Sequence, residues 1–368
     1  MKRIILVFSL FFLVSSCSFN SGKNDPAKNY DAVVSQTKTT SSTPVYTTVQ
    51  AAIDAAPEQS SKPFRIYIAN GTYFEKLVIT KSNLQILGED SQKTRLVFND
   101  YAGKATEPGK TLGTPATATL TVRAKDISIK NLTIENSFDF LSNDARTNED
   151  PARVSGAQAV ALFIDIPSDK VLVRNVSLLG YQDTLFVNSG RSWFDKVFIA
   201  GNVDYIFGNG NAVFTESEIK TVARGKANTP HGFVTAPSTQ ITSEYGLTFL
   251  NCRLTRDASV PDNSVPLGRP WHPTTTFSDG RYADPNAIGK SVFINTWMDA
   301  HITTDGWYSM SGTQKEGGRK SFLPEDARFF EYKSTGPGAF VNTKHRQLTD
   351  EEAKLYTLPI IFGDWQPN

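Results

Sequence analysis

From Val45 onward, apolar and polar residues alternate in short runs separated by turn formers, as in Arg65-Ile66-Tyr67-Ile68, Leu77-Val78-Ile79, Leu84-Gln85-Ile86-Leu87 and Leu120-Thr121-Val122. A period of two over so few residues predicts many short strands. Helical spacing is confined to residues 48–56, where Val49, Ala52, Ile53 and Ala56 share a face, and to residues 350–356; both read as caps. The strand segments also resemble one another. Ile129-Lys-Asn-Leu-Thr-Ile134, Val173-Arg-Asn-Val-Ser-Leu178, Phe194-Asp-Lys-Val-Phe-Ile199, Phe214-Thr-Glu-Ser-Glu-Ile219 and Phe249-Leu-Asn-Cys-Arg-Leu254 share one shape, with starts 44, 21, 20 and 35 residues apart. These spacings read as two coils, one, one, and one coil with an insertion. A unit this short, without helices between its strands, is what a parallel β-helix needs, because each coil returns the chain to the same sheet one strand further on. The rival all-β arrangement is a sandwich, whose hairpins would want Asn-Gly or Asp-Gly turns at closer spacing. The expected fold is all-β, a parallel β-helix with short helical caps.

The first residues depart from this pattern. Lys2 and Arg3 precede an apolar run from Ile4 to Val14, too short to span a bilayer, which ends in Val14-Ser15-Ser16-Cys17. This is a secretion signal that resembles a bacterial lipobox, in which cleavage precedes an acylated cysteine. The alternative is a simple signal peptide in which Cys17 is incidental. The expected organisation is a signal peptide over residues 1–17, a flexible tether over 18–43 rich in Ser, Thr, Asn and Lys, and a catalytic domain over 44–368. Lipidation at Cys17 would bring a membrane partner, and Ser18 after it favours the outer membrane, with plain secretion as the alternative. The 38 basic and 37 acidic residues form no long run of either sign, which argues against nucleic-acid binding. With Cys17 removed to the anchor, Cys252 remains as a buried small hydrophobe, and no internal disulfide is expected.

Coil stacking turns sequence spacing into geometry, since neighbouring coils lie about 4.8 Å apart. Gln158 precedes Gln182 by 24 residues, and Asp183 precedes Asp204 by 21. Two carboxylates and two amides would then converge on one face. Two carboxyls so close do not both ionise cheaply, so one tends to hold a proton and the other a charge. Arg269, in the constrained turn Leu267-Gly-Arg-Pro-Trp271, offers a cation to fix which is which, and Trp271 a stacking surface for a sugar ring. Each element also has a plainer reading: Asp183 as a turn aspartate, the glutamines as a structural ladder, Arg269 as a surface ion pair, Trp271 as core. Asp204 is harder to set aside, because an ionised carboxylate seldom sits in an apolar run such as Val203-Asp-Tyr-Ile-Phe207 without a partner. There is no Gly-x-Ser-x-Gly elbow and no Gly-x-x-x-x-Gly-Lys-Ser/Thr loop, and His231, His272, His301 and His345 lack metal-ligand spacing. No metal or cofactor is expected.

Five ordered segments, Gly71-Thr-Tyr-Phe-Glu75, Gln158-Ala-Val-Ala-Leu162, Gly180-Tyr-Gln-Asp-Thr-Leu-Phe186, Gly201-Asn-Val-Asp-Tyr-Ile-Phe-Gly208 and Leu267-Gly-Arg-Pro-Trp271, resemble the signature segments of the pectin methylesterases, carbohydrate esterase family 8. The likeness runs from about Tyr46 to Trp365 and is greatest to secreted enterobacterial members. It implies a right-handed β-helix, a monomer, that hydrolyses methyl esters of galacturonate in pectin or oligogalacturonides. It also implies that Asp204 is the nucleophile, Asp183 the proton donor and acceptor, Gln182 and Gln158 the oxyanion donors, and Arg269 the group orienting Asp204. By the same matching, Phe186, Val203, Phe207, Trp271, Thr274 and Met310 would line the cleft, with Thr114, Arg224 and Phe233 along the polysaccharide. Phe186 stands where many relatives carry tyrosine, and Tyr205 where many carry phenylalanine. The alternatives are a pectate lyase or polygalacturonase, which use the same architecture and polymer, and a non-catalytic surface protein that binds polysaccharide.

Overall fold

The computed structural model describes residues 29–37 and 42–367. The signal segment and Cys17 lie outside the described residues. Short alternating runs become strands because one side of each must be buried, and successive strands join three parallel sheets that the chain visits in turn. One circuit runs from Asp169–Arg174 in an eleven-stranded sheet, through Ser177–Leu179 in an eight-stranded sheet and Leu185–Val187 in a six-stranded sheet, and back to Arg191–Asp195 beside its start. The result is a right-handed parallel β-helix.

The core is a set of stacked columns. In the six-stranded sheet, Leu77, Leu120, Leu162, Leu185 and Ile206 lie in register and point inward, with no side chain more than marginally exposed. In the eleven-stranded sheet, Ile129 stacks on Val173, then Phe194, Phe214, Phe249 and Phe293. Ring centroids along the phenylalanine part are 4.4–4.7 Å apart, the offset stacking that aromatic faces favour. Two residues after each of these inward positions the chain turns a corner through the left-handed region, at Asn131, Asn175, Lys196, Glu216, Asn251 and Asn295. Asparagine tolerates that conformation and stacks as well: Asn175 Nδ2 donates to Asn131 Oδ1 at 2.7 Å. This corner explains the six-residue shape shared by the repeats. Cys252 is buried at such a corner, and burial pushes its thiol up to about 12.

Three expectations need correction. Residues 129 and 173 sit on directly paired strands, so the 44-residue interval is one coil carrying a long excursion, not two coils. The excursion includes the helix Phe140–Ala145 and leaves the pairing register untouched. The tether also ends earlier than residue 43: Ala32–Val34 is a buried strand between Val45–Tyr46 and Phe64–Ile68, since its three consecutive apolar residues can cover the first coil. Finally, the helix Val49–Asp54 covers the N-terminal coils, with Val49, Ala52 and Ile53 buried. The helices Asp350–Ala353 and Leu358–Phe362, by contrast, lie along the outer face of the eleven-stranded sheet. There Val213, Val292 and Ile294 present apolar side chains that Leu348, Tyr356, Ile361 and Phe362 cover.

Truncating the middle of the phenylalanine column should be costly. Phe214→Ala is expected to lower unfolding free energy by about 3–5 kcal/mol in denaturant titration, whereas Phe74→Ala, at a ring 57% exposed, should change it by less than about 1 kcal/mol.

Candidate active site

The outer face of the six-stranded sheet makes the floor of a cleft. Phe163, Phe186 and Phe207 share one register position on Leu162–Ile164, Leu185–Val187 and Val203–Gly208, and stack outward with centroids 4.4 and 4.3 Å apart. Ala236 continues the column on Phe233–Pro237. Trp271 meets this floor edge-on, 6.0 Å from Phe186 and 5.6 Å from Phe207.

Asp183 and Asp204 stand at the head of adjacent strands, offset by the same 21 residues that separate Leu185 from Ile206. Both adopt positive φ, 65° and 49°. A left-handed residue interrupts the alternation, so two consecutive residues after each aspartate turn inward, Thr184 with Leu185 and Tyr205 with Ile206, while the aspartate stays on the cleft side. The glycines three positions earlier make this possible. A Cβ at Gly201 would lie 2.2 Å from Tyr205 Cβ, and one at Gly180 would lie 2.8 Å from Thr184 Oγ1. The spacing Gly-x-x-Asp in both motifs is therefore a backbone requirement. Tyr205 points into the core, where its hydroxyl lies 3.2 Å from Thr221 Oγ1, so the tyrosine at this position does not reach the cleft rim.

Arg269 reaches Asp204 with two parallel bonds, Nε to Oδ1 at 2.9 Å and Nη2 to Oδ2 at 2.6 Å. Such a fork fixes both the charge and the plane of the carboxylate. Its backbone is placed by pairing with Thr235, whose carbonyl accepts from Arg269 N at 3.0 Å. A Cβ at Gly268 would fall 2.1 Å from Thr235 Oγ1, so only glycine lets this segment pack so close. Phe233 lies beneath the guanidinium, 3.9 Å from ring centroid to Cζ. Asp183 has no such fork. Burial, and next the charge of Asp204, hold its carboxyl well above the usual carboxylate range, while Arg269 pulls weakly the other way. One acid is thus ion-paired, and its neighbour is biased toward the protonated form.

These groups border one cavity of about 420 Å³. The structure brings Gln158, Gln182, Asp183, Asp204 and Arg269 together there with Thr114, Phe186, Phe207, Trp271 and Met310. Pro115 and Ala236 join them; nothing in their residue type singled them out, and only the register column leading to Ala236 could have done so. Four residues expected on the cleft do not border this cavity. Phe233 is covered by Arg269 and by Tyr308, 5.6 Å away. Val203 is half-buried at the start of its strand, before the left-handed residue re-aims the chain. Thr274 begins the hairpin strand Thr274–Phe277, which stands out from the coils. Arg224 spends its guanidinium on Asp144, at 2.8 and 2.9 Å, and on the His231 carbonyl at 3.0 Å. It lies instead in an adjoining hollow of about 340 Å³ that shares Gln158 and Gln182 with the main cavity. His272 Nδ1 donates to the Asp284 carbonyl at 2.7 Å and its ring stacks on Phe322, which ties the hairpin of Thr274–Phe277 and Gly280–Ala283 to that of Met310–Thr313 and Arg319–Phe322.

Comparison with known proteins agrees with this geometry. The family model described as Pectinesterase matches residues 31–359, which includes the strand Ala32–Val34. Pectinesterase A of Dickeya dadantii is 48% identical over 344 residues, covering 93% of each chain. Among solved structures, a pectin methylesterase in complex with a hexasaccharide superposes with a TM-score of 0.88 at 47% identity, over 92% of this chain and 98% of that one. The pectin methylesterase from Yersinia enterocolitica gives 0.84 at 47% identity, over 87% and 99%. On the strength of a match that spans the whole β-helix, the chain belongs to the pectinesterase family.

Proposed function

We propose that the cleft hydrolyses methyl esters of galacturonate in pectin or oligogalacturonides through an acyl-enzyme on Asp204. The observation that carries this reading is the asymmetry of the two acids: Asp204 gripped by the Arg269 fork, and Asp183 buried beside it, its carboxyl pushed toward the protonated form. Asp204 attacks the C6 carbonyl, Asp183 gives its proton to departing methanol, and the anhydride that forms is hydrolysed by water that Asp183 then deprotonates. The amides of Gln182 and Gln158 donate to the carbonyl oxygen as it becomes negative. The stacked phenylalanines and Trp271 supply an apolar floor suited to a sugar face and a methyl ester. A hexasaccharide occupies the complex of one structural relative, which supports a chain-like substrate.

The same reading places the protein outside the cytoplasm as a monomer, exported by residues 1–17 and held at the outer membrane through lipid on Cys17. Radiolabelled palmitate should mark the wild-type protein in the membrane fraction. Cys17→Ser should lose both label and membrane association; a labelled Cys17→Ser protein would contradict the anchor.

Three outcomes test the chemistry. With methylated pectin, the protein should release methanol without shortening the polymer or creating unsaturated ends. Asp204→Ala should lower kcat by about 10⁴-fold or more while pectin binding survives, and Gln182→Ala by about 10²-fold.

The raised carboxyl of Asp183 also links stability to pH. The unfolded chain gives up this proton near the ordinary aspartate value, about 3.9, while the native protein keeps it until a higher pH. The native state therefore binds more protons across that interval, and its stability falls as pH rises through it. Asp183→Asn carries no such penalty. Its Tm should match wild type below about pH 3 and exceed it by a few degrees at pH 8, while kcat/KM collapses.

A further inference from the structure

The last coil breaks the pattern of its predecessors. Inward positions stack as Phe194, Phe214, Phe249 and Phe293, and the next residue in that register is Glu331, 1% exposed. A carboxyl replacing a phenylalanine ring inside the coil needs a specific partner. That partner is His345, also fully buried, whose Nδ1 lies 2.5 Å from Glu331 Oε1. The other ring nitrogen, Nε2, lies 3.1 Å from the Thr303 carbonyl. A carbonyl only accepts, so Nε2 carries hydrogen and donates to it, and one further proton is shared between Nδ1 and Glu331. Burial raises the Glu331 carboxyl more than the hydrogen bond from His345 lowers it. For His345 burial is the largest single influence and lowers it, but the bond and charge of Glu331 together with the Thr303 and Thr304 backbone raise it by more, so both members of the pair are biased toward holding the shared proton.

The Thr303 carbonyl has a second donor. Gly306 N bonds to it at 2.9 Å and closes a turn, and Gly306 adopts φ 68°. A Cβ on Gly306 would sit 2.8 Å from His345 Cε1, so the imidazole packs directly on this turn. The turn is bonded in its own right to the arginine segment. Leu267 N donates to the Gly306 carbonyl at 2.7 Å, Tyr308 N donates to the Gly268 carbonyl at 3.0 Å, and Gly268 stands in register with Trp307. Arg269 is therefore flanked by Thr235 on one side and by a turn seated on His345 on the other.

We infer that the buried Glu331–His345 pair is a positioning device for the reaction: it seats the 303–306 turn against residues 267–269 and so holds the Arg269 guanidinium at bonding distance from Asp204. This rests on the role given above to Arg269 and Asp204. A plain plug for the end of the β-helix would need only an apolar residue at 331, as in the four preceding coils, with no tautomer-fixed histidine reaching the turn behind Arg269. The fork has narrow tolerance, because two bonds of 2.6 and 2.9 Å must form at once, and displacements of about 1 Å cost up to 10²-fold in rate.

The test is a double-mutant cycle on methanol release from methylated pectin, with kcat and KM measured separately and folding checked by circular dichroism. His345→Gln and Glu331→Gln are each expected to lower kcat about 10-fold with KM nearly unchanged. In an Arg269→Ala background, neither should lower kcat further. Effects that multiply regardless of Arg269, or cap variants that lose thermal stability while keeping full kcat, would overturn the inference. Should His345→Gln fail to fold, Glu331→Gln carries the cycle, since it keeps the side-chain volume while a neutral amide no longer holds the shared proton on His345. If Arg269→Ala alone leaves methanol release unchanged, the reading of the site itself fails and this inference with it, an outcome distinct from multiplicative effects.

Discussion

Parallel pairing between successive coils fixes which residue lies on which, and every other feature of this molecule inherits that register. Leu162 on Leu185 on Ile206 builds the inner wall, and Phe163 on Phe186 on Phe207 builds the cleft floor from the opposite side of the same strands. A slip of one residue would exchange the two faces, exposing the leucines and burying the floor. The register therefore admits long excursions only between strands, where the helix Phe140–Ala145 and the hairpin Thr274–Phe277 with Gly280–Ala283 leave the lattice intact. Segments outside the three parallel sheets also supply Thr114, Pro115, Trp271 and Met310, which turn the flat sheet face into a cleft.

The site uses the same lattice against ordinary electrostatic preference. Two aspartates one coil apart would repel if both were charged, and each sits in a left-handed conformation that a non-glycine residue adopts at some cost. Burial makes the repulsion worse, and that is its use: with one member ion-paired to Arg269, the other is pushed toward its protonated form. Arg269 breaks the symmetry because it comes from a later coil, adjacent to Asp204's side of the pair.

Much of this was legible in the sequence, and the limits have physical reasons. Spacings of 20 and 21 residues predict stacking directly, because the intervening coil carries no excursion. The 44-residue interval is ambiguous, since two bare coils and one coil with an excursion have the same length; only the absence of a strand-like segment of the repeat shape between residues 134 and 173 hints at the answer. Ala32-Val33-Val34 is three residues in a polar stretch, too short to reveal a strand without the coil it covers. The acids and amides converge as the spacing requires and Arg269, offered only by its turn motif, joins them, whereas Arg224 could not be placed from sequence, because its partner Asp144 lies on a distant excursion. The two glycines preceding the aspartates are visible in the motifs, but their purpose, to admit Thr184 and Tyr205, is a tertiary fact.

The central claim is that Asp204 becomes covalently activated during turnover. Hydroxylamine added during hydrolysis of methylated pectin would intercept an anhydride on Asp204: attack at the aspartyl carbonyl releases galacturonate and leaves a hydroxamate on Asp204, detectable in the mass of the peptide containing residues 203–208, and attack at C6 frees Asp204 and leaves a galacturonyl hydroxamate. The account predicts that this modification appears only with substrate present and is abolished in Asp204→Asn. Full methanol release with no enzyme-dependent hydroxamate on either Asp204 or the galacturonate C6, or a substrate-dependent hydroxamate on Asp183 instead, would contradict it.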